Sequence, residues 1–460
     1  MKISVDTDGT KTDFSKFIRS YEKYFIKNHN MPIVNHRGLE VEEVYDIENT
    51  LISRGYTADE AANETKRIVK KFWVSAPRFI NFSLLSRFRD GVTKRLNELK
   101  RQGHELEIDT ARDKTTETNI VGKVARNFTL CQYALNGLFL QRKRISFYAN
   151  DDEKIEGIKR KGSKLVFDDK PYVIEKVSKF TKVICVNNPH NENKQFNENV
   201  FRIDNFSKIE IETSLKALFG ERDYEYILRN ANAEKFFQSL KPFLKPLFLR
   251  TFNPILLNEQ NIIRDGSVIY APNHRSTLDP LAVITALEEP IHWVALKRFF
   301  TGNDSIFNNS KNPILCKLTS YVFKKMELIP IERKMDNENA DNIQSFEDIN
   351  GFLRIGGRIG IFPEGTTLKK PYTTDFGHFR SSFLTVAEEN NSHIQPITIY
   401  WIKNLGLKEK VIINFGKAFK VENMSIEEGM EHYSKIQQEN MKEIRDFIFE
   451  LTPKNKVLKK

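Results

Sequence analysis

The chain has 460 residues, and its 72 Lys and Arg against 61 Asp and Glu give a net charge of +11 at pH 7. Its hydrophobic content of 40% excludes both a disordered chain and a polytopic membrane protein, and its length predicts two or three domains. The positive charge favours phosphates or anionic lipid as partners, and the absence of a dense basic block argues against nucleic acid. Three widely separated cysteines exclude a disulfide framework.

The N-terminal half alternates strand-like and helical segments. A short strand over 2–6 is followed by a long helical pattern and then by strand-like segments at 104–110, 144–149, 164–169 and 182–188. This alternation predicts an α/β domain with a Rossmann-like parallel sheet over 1–205, and a helical cap inserted at about 14–103. The first residues, MKISVDTDGT, contain no apolar signal segment, so we expect a cytoplasmic location.

Residues 206–235 are charged and helical and are predicted to form a connector. The next segment, 236–257, is rich in aromatic residues and has three cations, Lys241, Lys245 and Arg250. Three prolines argue against one long straight helix here: Pro242, Pro246 and Pro254. We interpret the segment as a peripheral membrane contact whose cations meet anionic headgroups. The alternative is that its aromatic residues only pack between the two domains.

A second α/β pattern follows and predicts a domain over 236–460, closed by a helix ending near Leu451. Within it, APNHRSTLDP places His274 and Asp279 between a strand and a helix. A carboxylate folded back onto one imidazole nitrogen fixes the tautomer and makes the other nitrogen a general base. A substrate hydroxyl activated in this way can attack a thioester carbonyl. For an isolated match, the alternative is a helix-capping aspartate beside a solvent-facing histidine.

Three later segments accompany this pair: ELIPIER, which ends at Arg333, GIFPEGTT, and IQPITIY with Pro396. In this order the four segments resemble the glycerophospholipid acyltransferases, most closely the 1-acylglycerol-3-phosphate acyltransferases, over about 236–420. The resemblance implies a lysophospholipid acceptor and, as donor, acyl-CoA or an acyl carrier protein.

The resemblance also implies a role for each matched residue. His274 would deprotonate the acceptor hydroxyl, Asp279 would orient His274, and Arg333 would bind the acceptor phosphate. Three residues would shape the acceptor site: Glu364, Gly365 and Thr366. Thr367 stands where the family commonly has arginine, and the alternatives for that phosphate contact are Lys369, Lys370 and Arg380.

In the N-terminal half, SVDTDGTKTD places Asp6 and Asp8 at the end of the first strand. Acids two residues apart in an extended segment point to the same side, where they can act as nucleophile and acid/base partner around Mg²⁺. The alternative is an acidic turn. Later segments add Thr110 at a strand end, Lys154 in a helix, and the pair Asp168 and Asp169 at another strand end.

This set resembles the haloacid dehalogenase-like phosphatases, in a branch similar to deoxyribonucleotidases. The resemblance implies an aspartyl-phosphate on Asp6, proton transfer by Asp8, and phosphoryl binding by Thr110 and Lys154. It also implies Mg²⁺ held by four carboxylates, those of Asp6, Asp8, Asp168 and Asp169. Lys11 and Asp109 depart from the family pattern, and Lys159 and Lys161 compete with Lys154 for its role.

The sequence therefore predicts a lysophosphatidate acyltransferase fused to a Mg²⁺-dependent phosphomonoesterase, bound peripherally to the inner face of the membrane. One alternative is a phosphatase whose acyltransferase-like domain is degenerate and only docks it on membranes. Another is a membrane-binding regulatory module with two degenerate sites.

Overall fold

The computed structural model divides into two compact units, Met1–Glu221 and Arg222–Lys460, and the division falls inside the predicted connector. The structure describes residues 1–7, 10–11, 51–52, 55–74, 88–102, 104–111, 115–116, 118–188, 191–252, 254–264, 266–304, 312–333, 341–367, 373–402 and 410–451. Asp8, Lys369, Lys370 and most of the predicted cap lie outside these residues.

The first unit contains six strands and six helices in its described part. The strands are β1 (Lys2–Val5), β2 (Glu105–Thr110), β3 (Ile145–Phe147), β4 (Leu165–Asp168), β5 (Lys182–Val186) and β6 (Val200–Ile203). The helices are α1 (Ala58–Val74), α2 (Val92–Arg101), α3 (Ile120–Leu135), α4 (Asp151–Lys161), α5 (Pro171–Val177) and α6 (Lys208–Phe219). A short 3₁₀ helix spans Arg142–Arg144.

The six strands form one parallel sheet in the order β3-β2-β1-β4-β5-β6. This is the doubly wound Rossmann order, which confirms the predicted fold class of the first unit. The reversal of strand order beside β1 places the ends of β1, β2 and β4 at the edge where such sheets bind ligands. The sequence analysis missed β6, because its four residues VFRI are only partly buried and follow a polar loop.

Between β1 and β2 the described residues include two helices, α1 and α2. In α2 the buried residues Val92, Leu96 and Leu99 recur at helical spacing, so one face of the helix packs inward. Of the described residues in the predicted cap over 14–103, residues 51–52, 58–74 and 92–101 are helical.

The second unit contains seven strands and six helices in its described part. The strands are β7 (Ile255–Leu257), β8 (Val268–Pro272), β9 (His292–Leu296), β10 (Ile329–Ile331), β11 (Arg358–Gly360), β12 (His393–Ile402) and β13 (Lys410–Phe415). The helices are α7 (Glu221–Phe252), α8 (Asp279–Leu287), α9 (Pro313–Lys325), α10 (Ile343–Arg354), α11 (Ser382–Glu389) and α12 (Ile426–Leu451). Two 3₁₀ helices span Glu259–Asn261 and Lys297–Phe300.

These strands form a sheet in the order β10-β9-β11-β8-β12-β13-β7, parallel except for the β12–β13 pair. Apolar clusters cover both faces, one formed with α10, α11 and α12 and the other with α7 and α8. A parallel sheet buried on both faces confirms the predicted α/β class of the second unit. The carboxyl ends of β8, β9, β10 and β11 share one edge.

Helix α7 corrects one prediction, because it continues through Pro242 and Pro246 for 32 residues. Each proline removes one backbone hydrogen bond, but the buried rings of Phe237 and Phe248 fix the helix against the second unit on either side of them. Among the described helices, none is both long enough and apolar enough to cross a bilayer.

Buried His292 joins three elements of the second unit. Its Nδ1 lies 2.9 Å from the Glu327 carbonyl oxygen, its Nε2 lies 2.9 Å from Asn230 Oδ1, and its ring stacks on Phe352. Burial lowers the pKa of His292 to about 4, so the imidazole is neutral in the folded unit at neutral pH.

We expect the second unit to lose stability as the pH falls from about 6.5 to about 4, by up to about 3 kcal/mol. In that window the unfolded chain binds a proton at His292 that the folded unit excludes. Urea unfolding at several pH values measures this loss, followed by the fluorescence of Trp293 and Trp401. His292→Gln should flatten the pH dependence, whereas the control His432→Gln should not. Equal profiles for His292→Gln and wild type would contradict the prediction.

Candidate active sites

His274 lies in the turn between β8 and α8, close to the carboxyl edge of the sheet. Its neighbour Asn273 anchors the turn to β12 by donating to the Ile399 carbonyl and accepting from the Ile399 N–H. Asp279 is the first residue of α8, and its Oδ2 lies 3.0 Å from His274 Nδ1. The structure therefore brings together the two residues that the sequence analysis paired.

The Asp279 carboxylate is fully buried and has four hydrogen-bond partners. Oδ2 accepts from His274 Nδ1 and from the backbone N–H groups of Arg275 and Ser276, while Oδ1 accepts from Trp401 Nε1 at 2.8 Å. An ionised carboxylate only accepts, so Nδ1 carries the imidazole proton and Nε2 is left as the basic nitrogen. The role of Trp401 was not predictable from sequence, because its indole reaches Asp279 from a strand 122 positions further along the chain.

The His274 ring also stacks on Phe362, with ring centroids 4.0 Å apart, and Phe362 in turn stacks on Trp293 at 4.9 Å. Trp293 lies against Gly360, where an added Cβ would come within 2.3 Å of the indole. The side-chain orientation of His274 therefore depends on a stack that requires glycine at position 360.

The GIFPEGTT segment follows β11, the strand next to β8. Glu364 is buried, and burial raises the pKa of its carboxyl group although the Arg275 charge and the nearby backbone N–H groups of His274 and Gly377 oppose this. Gly365 has φ +67°, a left-handed conformation that favours glycine, and lies against the exposed Arg380 guanidinium. Thr366 is exposed on the same loop.

Arg333 is half-buried two residues beyond β10. It shares the carboxyl edge with His274, but β9 and β11 separate its strand from β8. Pro396, by contrast, is buried inside β12 opposite Ala271, where it belongs to the sheet.

In the first unit, Asp6, Asp168 and Asp169 are all buried, and each offers a carboxylate oxygen within 4.8 Å of the others. Asp6 follows β1, Asp168 ends β4, and the backbone of Lys170 donates to Asp168 Oδ1 at 2.9 Å. Burial raises the pKa of Asp168, and the neighbouring charge of Asp169 acts in the same direction.

Lys154 of α4 lies between two of these carboxylates. Its Nζ donates to Asp6 Oδ1 at 2.6 Å and to Asp168 Oδ2 at 2.7 Å. Burial alone would lower the pKa of Lys154, but the charges of Asp168 and Asp6 outweigh it and raise the pKa. Lys161 instead pairs with Asp109 and Glu107, so it is Lys154 that reaches the acidic cluster.

Asp169 is held by Thr10 of the SVDTDGTKTD segment and by two asparagines outside it. Its carboxylate accepts from Thr10 Oγ1 at 2.9 Å and from Asn188 Nδ2 at 3.0 Å, while Asn191 donates to its carbonyl. The sequence analysis missed Asn188 and Asn191. Their position just beyond β5, at the same edge of the sheet, could have identified them.

The two departures from the family pattern have local explanations. Thr110 is buried at the end of β2, and Asp109 points to the opposite sheet face, where it accepts from Ser4 and Tyr148. Lys11 is buried, with its ammonium 4.4 Å from the centre of the Tyr133 ring.

The acidic cluster has the donor chemistry of a divalent-cation site. Carboxylate oxygens are the ligands that Mg²⁺ prefers, and three buried carboxylates offer oxygens within 4.8 Å of one another here. The residues present therefore fit a hard cation.

Residues 255–400 match the family model described as Acyltransferase, which confirms the predicted acyltransferase region of the second unit. The chain is 25% identical over 194 residues to a probable 1-acyl-sn-glycerol-3-phosphate acyltransferase of Mycoplasma pneumoniae. That alignment covers 40% of this chain and 64% of the relative, so the chain spans less than two thirds of the relative's length.

Among solved structures, 1-acyl-sn-glycerophosphate acyltransferase PlsC from Thermotoga maritima aligns with 15% identity and a TM-score of 0.33, over 52% of this chain and 85% of that one. A haloacid dehalogenase-like family hydrolase from Streptococcus pneumoniae aligns with 14% identity and a TM-score of 0.29, over 40% of this chain and 84% of that one.

We expect Gly360→Ala to destabilise the second unit by about 1–3 kcal/mol, because the new methyl group would displace Trp293 and with it the stack under His274. Thermal unfolding and the near-UV dichroism of the tryptophans measure the two effects. Gly429→Ala in α12 is the matched control, since its Cβ would lie 3.3 Å from the nearest side-chain atom. Equal unfolding midpoints for the two variants would show that the stack tolerates the methyl group.

Proposed function

We propose that the second unit transfers a fatty acyl group from a thioester to the free hydroxyl of 1-acylglycerol-3-phosphate, forming phosphatidate. The observation that carries this proposal is the His274 imidazole, fixed at Nδ1 by buried Asp279 beside the Glu364 loop. The name of the Mycoplasma pneumoniae relative supports the choice of acceptor.

In the proposed reaction His274 Nε2 takes one proton from the acceptor hydroxyl and later gives it to the thiolate. The imidazole takes the proton of the acceptor hydroxyl as its oxygen attacks the thioester carbonyl, and buried Asp279 stabilises the imidazolium. When the tetrahedral intermediate collapses, the carbon–sulfur bond breaks and the imidazolium returns the proton to the thiolate. Ester and free thiol are the products.

The acceptor phosphate would meet cations along the carboxyl edge of the sheet. Arg333 lies at the end of β10, and Arg380 lies exposed against Gly365, which makes it our replacement for the arginine absent at Thr367. Acyl-CoA and an acyl carrier protein both present a thioester, and we propose either as the donor.

For the first unit we propose a phosphomonoesterase that requires Mg²⁺. Asp6, Asp168 and Asp169, together with Asp8, would hold the ion, which would neutralise phosphate charge when bound. Asp6 would attack phosphorus and expel the alcohol, and water would then hydrolyse the aspartyl-phosphate to release inorganic phosphate and restore the carboxylate. Thr110 and Lys154 would bind the phosphoryl oxygens. The role of Asp8 in proton transfer rests on the family resemblance.

We place the protein peripherally on the inner face of a membrane, and the structure changes which residues would make that contact. Lys241 and Lys245 both pair with Glu288, so two of the three cations that the sequence analysis assigned to headgroups have a partner within the protein. In 236–257, exposed Phe243 and Leu247 remain on α7.

Helix α9 adds a second exposed apolar stripe at helical spacing, formed by Ile314, Leu318 and Tyr321. Tyr321 meets Phe236 of α7 edge to face at 5.9 Å, so the two exposed stripes adjoin. Three exposed lysines flank them: Lys317, Lys324 and Lys325. Apolar side chains bordered by lysines suit an anionic lipid interface.

We expect His274→Ala to abolish thiol release from long-chain acyl-CoA in the presence of 1-acylglycerol-3-phosphate, a loss of about 10³-fold or more, because the general base is removed. Asp6→Asn should abolish Mg²⁺-dependent phosphate release from a phosphomonoester and leave acyl transfer intact. A thiol-trapping assay and a phosphate assay on the same full-length proteins measure both.

Each variant is the control for the other reaction. Loss of acyl transfer in Asp6→Asn would contradict independent sites. Wild type that binds lipid and releases phosphate without turning over a thioester would favour the phosphatase with a degenerate second unit.

We expect Ile314→Ser with Leu318→Ser to weaken binding to vesicles containing phosphatidylglycerol by at least about tenfold, because each side chain loses apolar area to bury. Sedimentation with vesicles measures binding without turnover. The matched control is Ile120→Ser with Ile209→Ser, which alters two equally exposed isoleucines of the first unit. Equal losses in both double variants would contradict the proposed surface.

A further inference from the structure

Arg275, the residue after the proposed base, carries a buried guanidinium group with no hydrogen bond. The residue is 2% exposed, and no described residue accepts from Nε, Nη1 or Nη2. The Phe376 ring covers the group at 5.3 Å. Burial lowers the pKa of Arg275, and the charge of Glu364 is the largest influence that opposes this. A buried guanidinium without acceptors is costly, so its retention calls for a partner.

Glu364 presents the complementary case. It is 5% exposed, and no side chain of the described residues donates to its carboxylate, which lies near the backbone N–H groups of His274 and Gly377. The backbone at Gly377 approaches so closely that a Cβ there would lie 3.0 Å from Oε2. The Arg275 guanidinium group and the Glu364 carboxylate therefore lie near each other and beside His274, with no hydrogen bond between them.

We propose that Arg275 binds the phosphate of the acceptor, a role that rests on the proposed function. A guanidinium group binds phosphate through two parallel hydrogen bonds. In glycerol phosphate only a few covalent bonds separate the reacting hydroxyl from phosphorus, so the phosphate must bind close to His274.

Arg275 would add to Arg333 at this phosphate, because chain topology places Arg275 nearer to the reacting hydroxyl. Arg275 is adjacent to His274, whereas β10, which leads to Arg333, is three strand spacings from β8, about 14 Å. Entry of the phosphate requires Phe376 to move off the guanidinium group. The segment that carries Phe376 begins with half-buried Thr373 and Thr374 and with exposed Asp375, so it is more exposed than the buried strands of the sheet.

The decisive experiment compares wild type with Arg275→Met, which removes the charge without leaving a buried amine. Thermal unfolding with EDTA is measured with glycerol 3-phosphate, glycerol and coenzyme A as separate probes. We expect glycerol 3-phosphate to raise the midpoint of wild type and to lose this effect in the variant. Because the first unit is unchanged, the difference between the two proteins reports Arg275 even if no acyl transfer is found.

Kinetics supply the second measurement. Arg275→Met should lower kcat/KM for 1-acylglycerol-3-phosphate by about tenfold or more, and that for 1-monoacylglycerol by less than about threefold. Arg275→Lys, which keeps a charge but lacks the fork, should retain part of the preference for the phosphorylated acceptor. Arg354→Met, at an arginine paired with Asp223 away from the site, is the control.

Three outcomes would overturn the proposal. Equal losses with both acceptors would assign Arg275 to the reacting carbonyl or to folding. Loss of the coenzyme A effect alone would assign its phosphate to the donor. Unchanged glycerol 3-phosphate binding in both Arg275 variants would show that Arg275 does not bind the acceptor phosphate.

Discussion

The second unit depends on one buried carboxylate, that of Asp279, whose charge is stabilised by four N–H donors. Two of them are backbone groups of the turn that leads into α8, so the turn can close only around this side chain. The third fixes the tautomer of His274, and the fourth comes from Trp401, 122 positions further along the chain. Removing any one donor leaves buried charge less stabilised, which ties local turn geometry to the pairing of β8 with β12.

The parallel sheet explains why the candidate site residues of each unit lie at one edge. The strands β8, β10 and β11 end at one edge, and the segments after them carry His274, Arg333 and Glu364 from distant parts of the sequence. In the first unit β1, β2 and β4 do the same for Asp6, Thr110 and Asp168. Each residue sits at or just beyond a strand end, where backbone groups are no longer fully used by the sheet and side chains face the cleft.

Short motifs with a fixed spacing were predictable from sequence, because their geometry is local: the His274–Asp279 pair and the strand ends bearing Asp6 and Asp168. Contacts between distant segments were not. Nothing in the sequence indicated that Lys241 and Lys245 would pair with Glu288, or that α7 would continue through its prolines. The strand β6 was missed, because three of its four residues are only partly buried and show no alternation.

The two candidate sites differ in how their buried carboxylates are paired. Both units have α/β folds, so this difference in pairing distinguishes the two sites better than the fold does. The Asp279 carboxylate accepts from four N–H donors, one of which is the His274 imidazole that it orients. In the first unit three carboxylates converge. Lys154 bonds to those of Asp6 and Asp168, while Thr10 and Asn188 donate to that of Asp169. A carboxylate whose acceptor positions are filled by N–H groups suits the positioning of a base, whereas several carboxylates that converge on one point suit a hard cation. The two arrangements therefore match the two different chemistries proposed for the units.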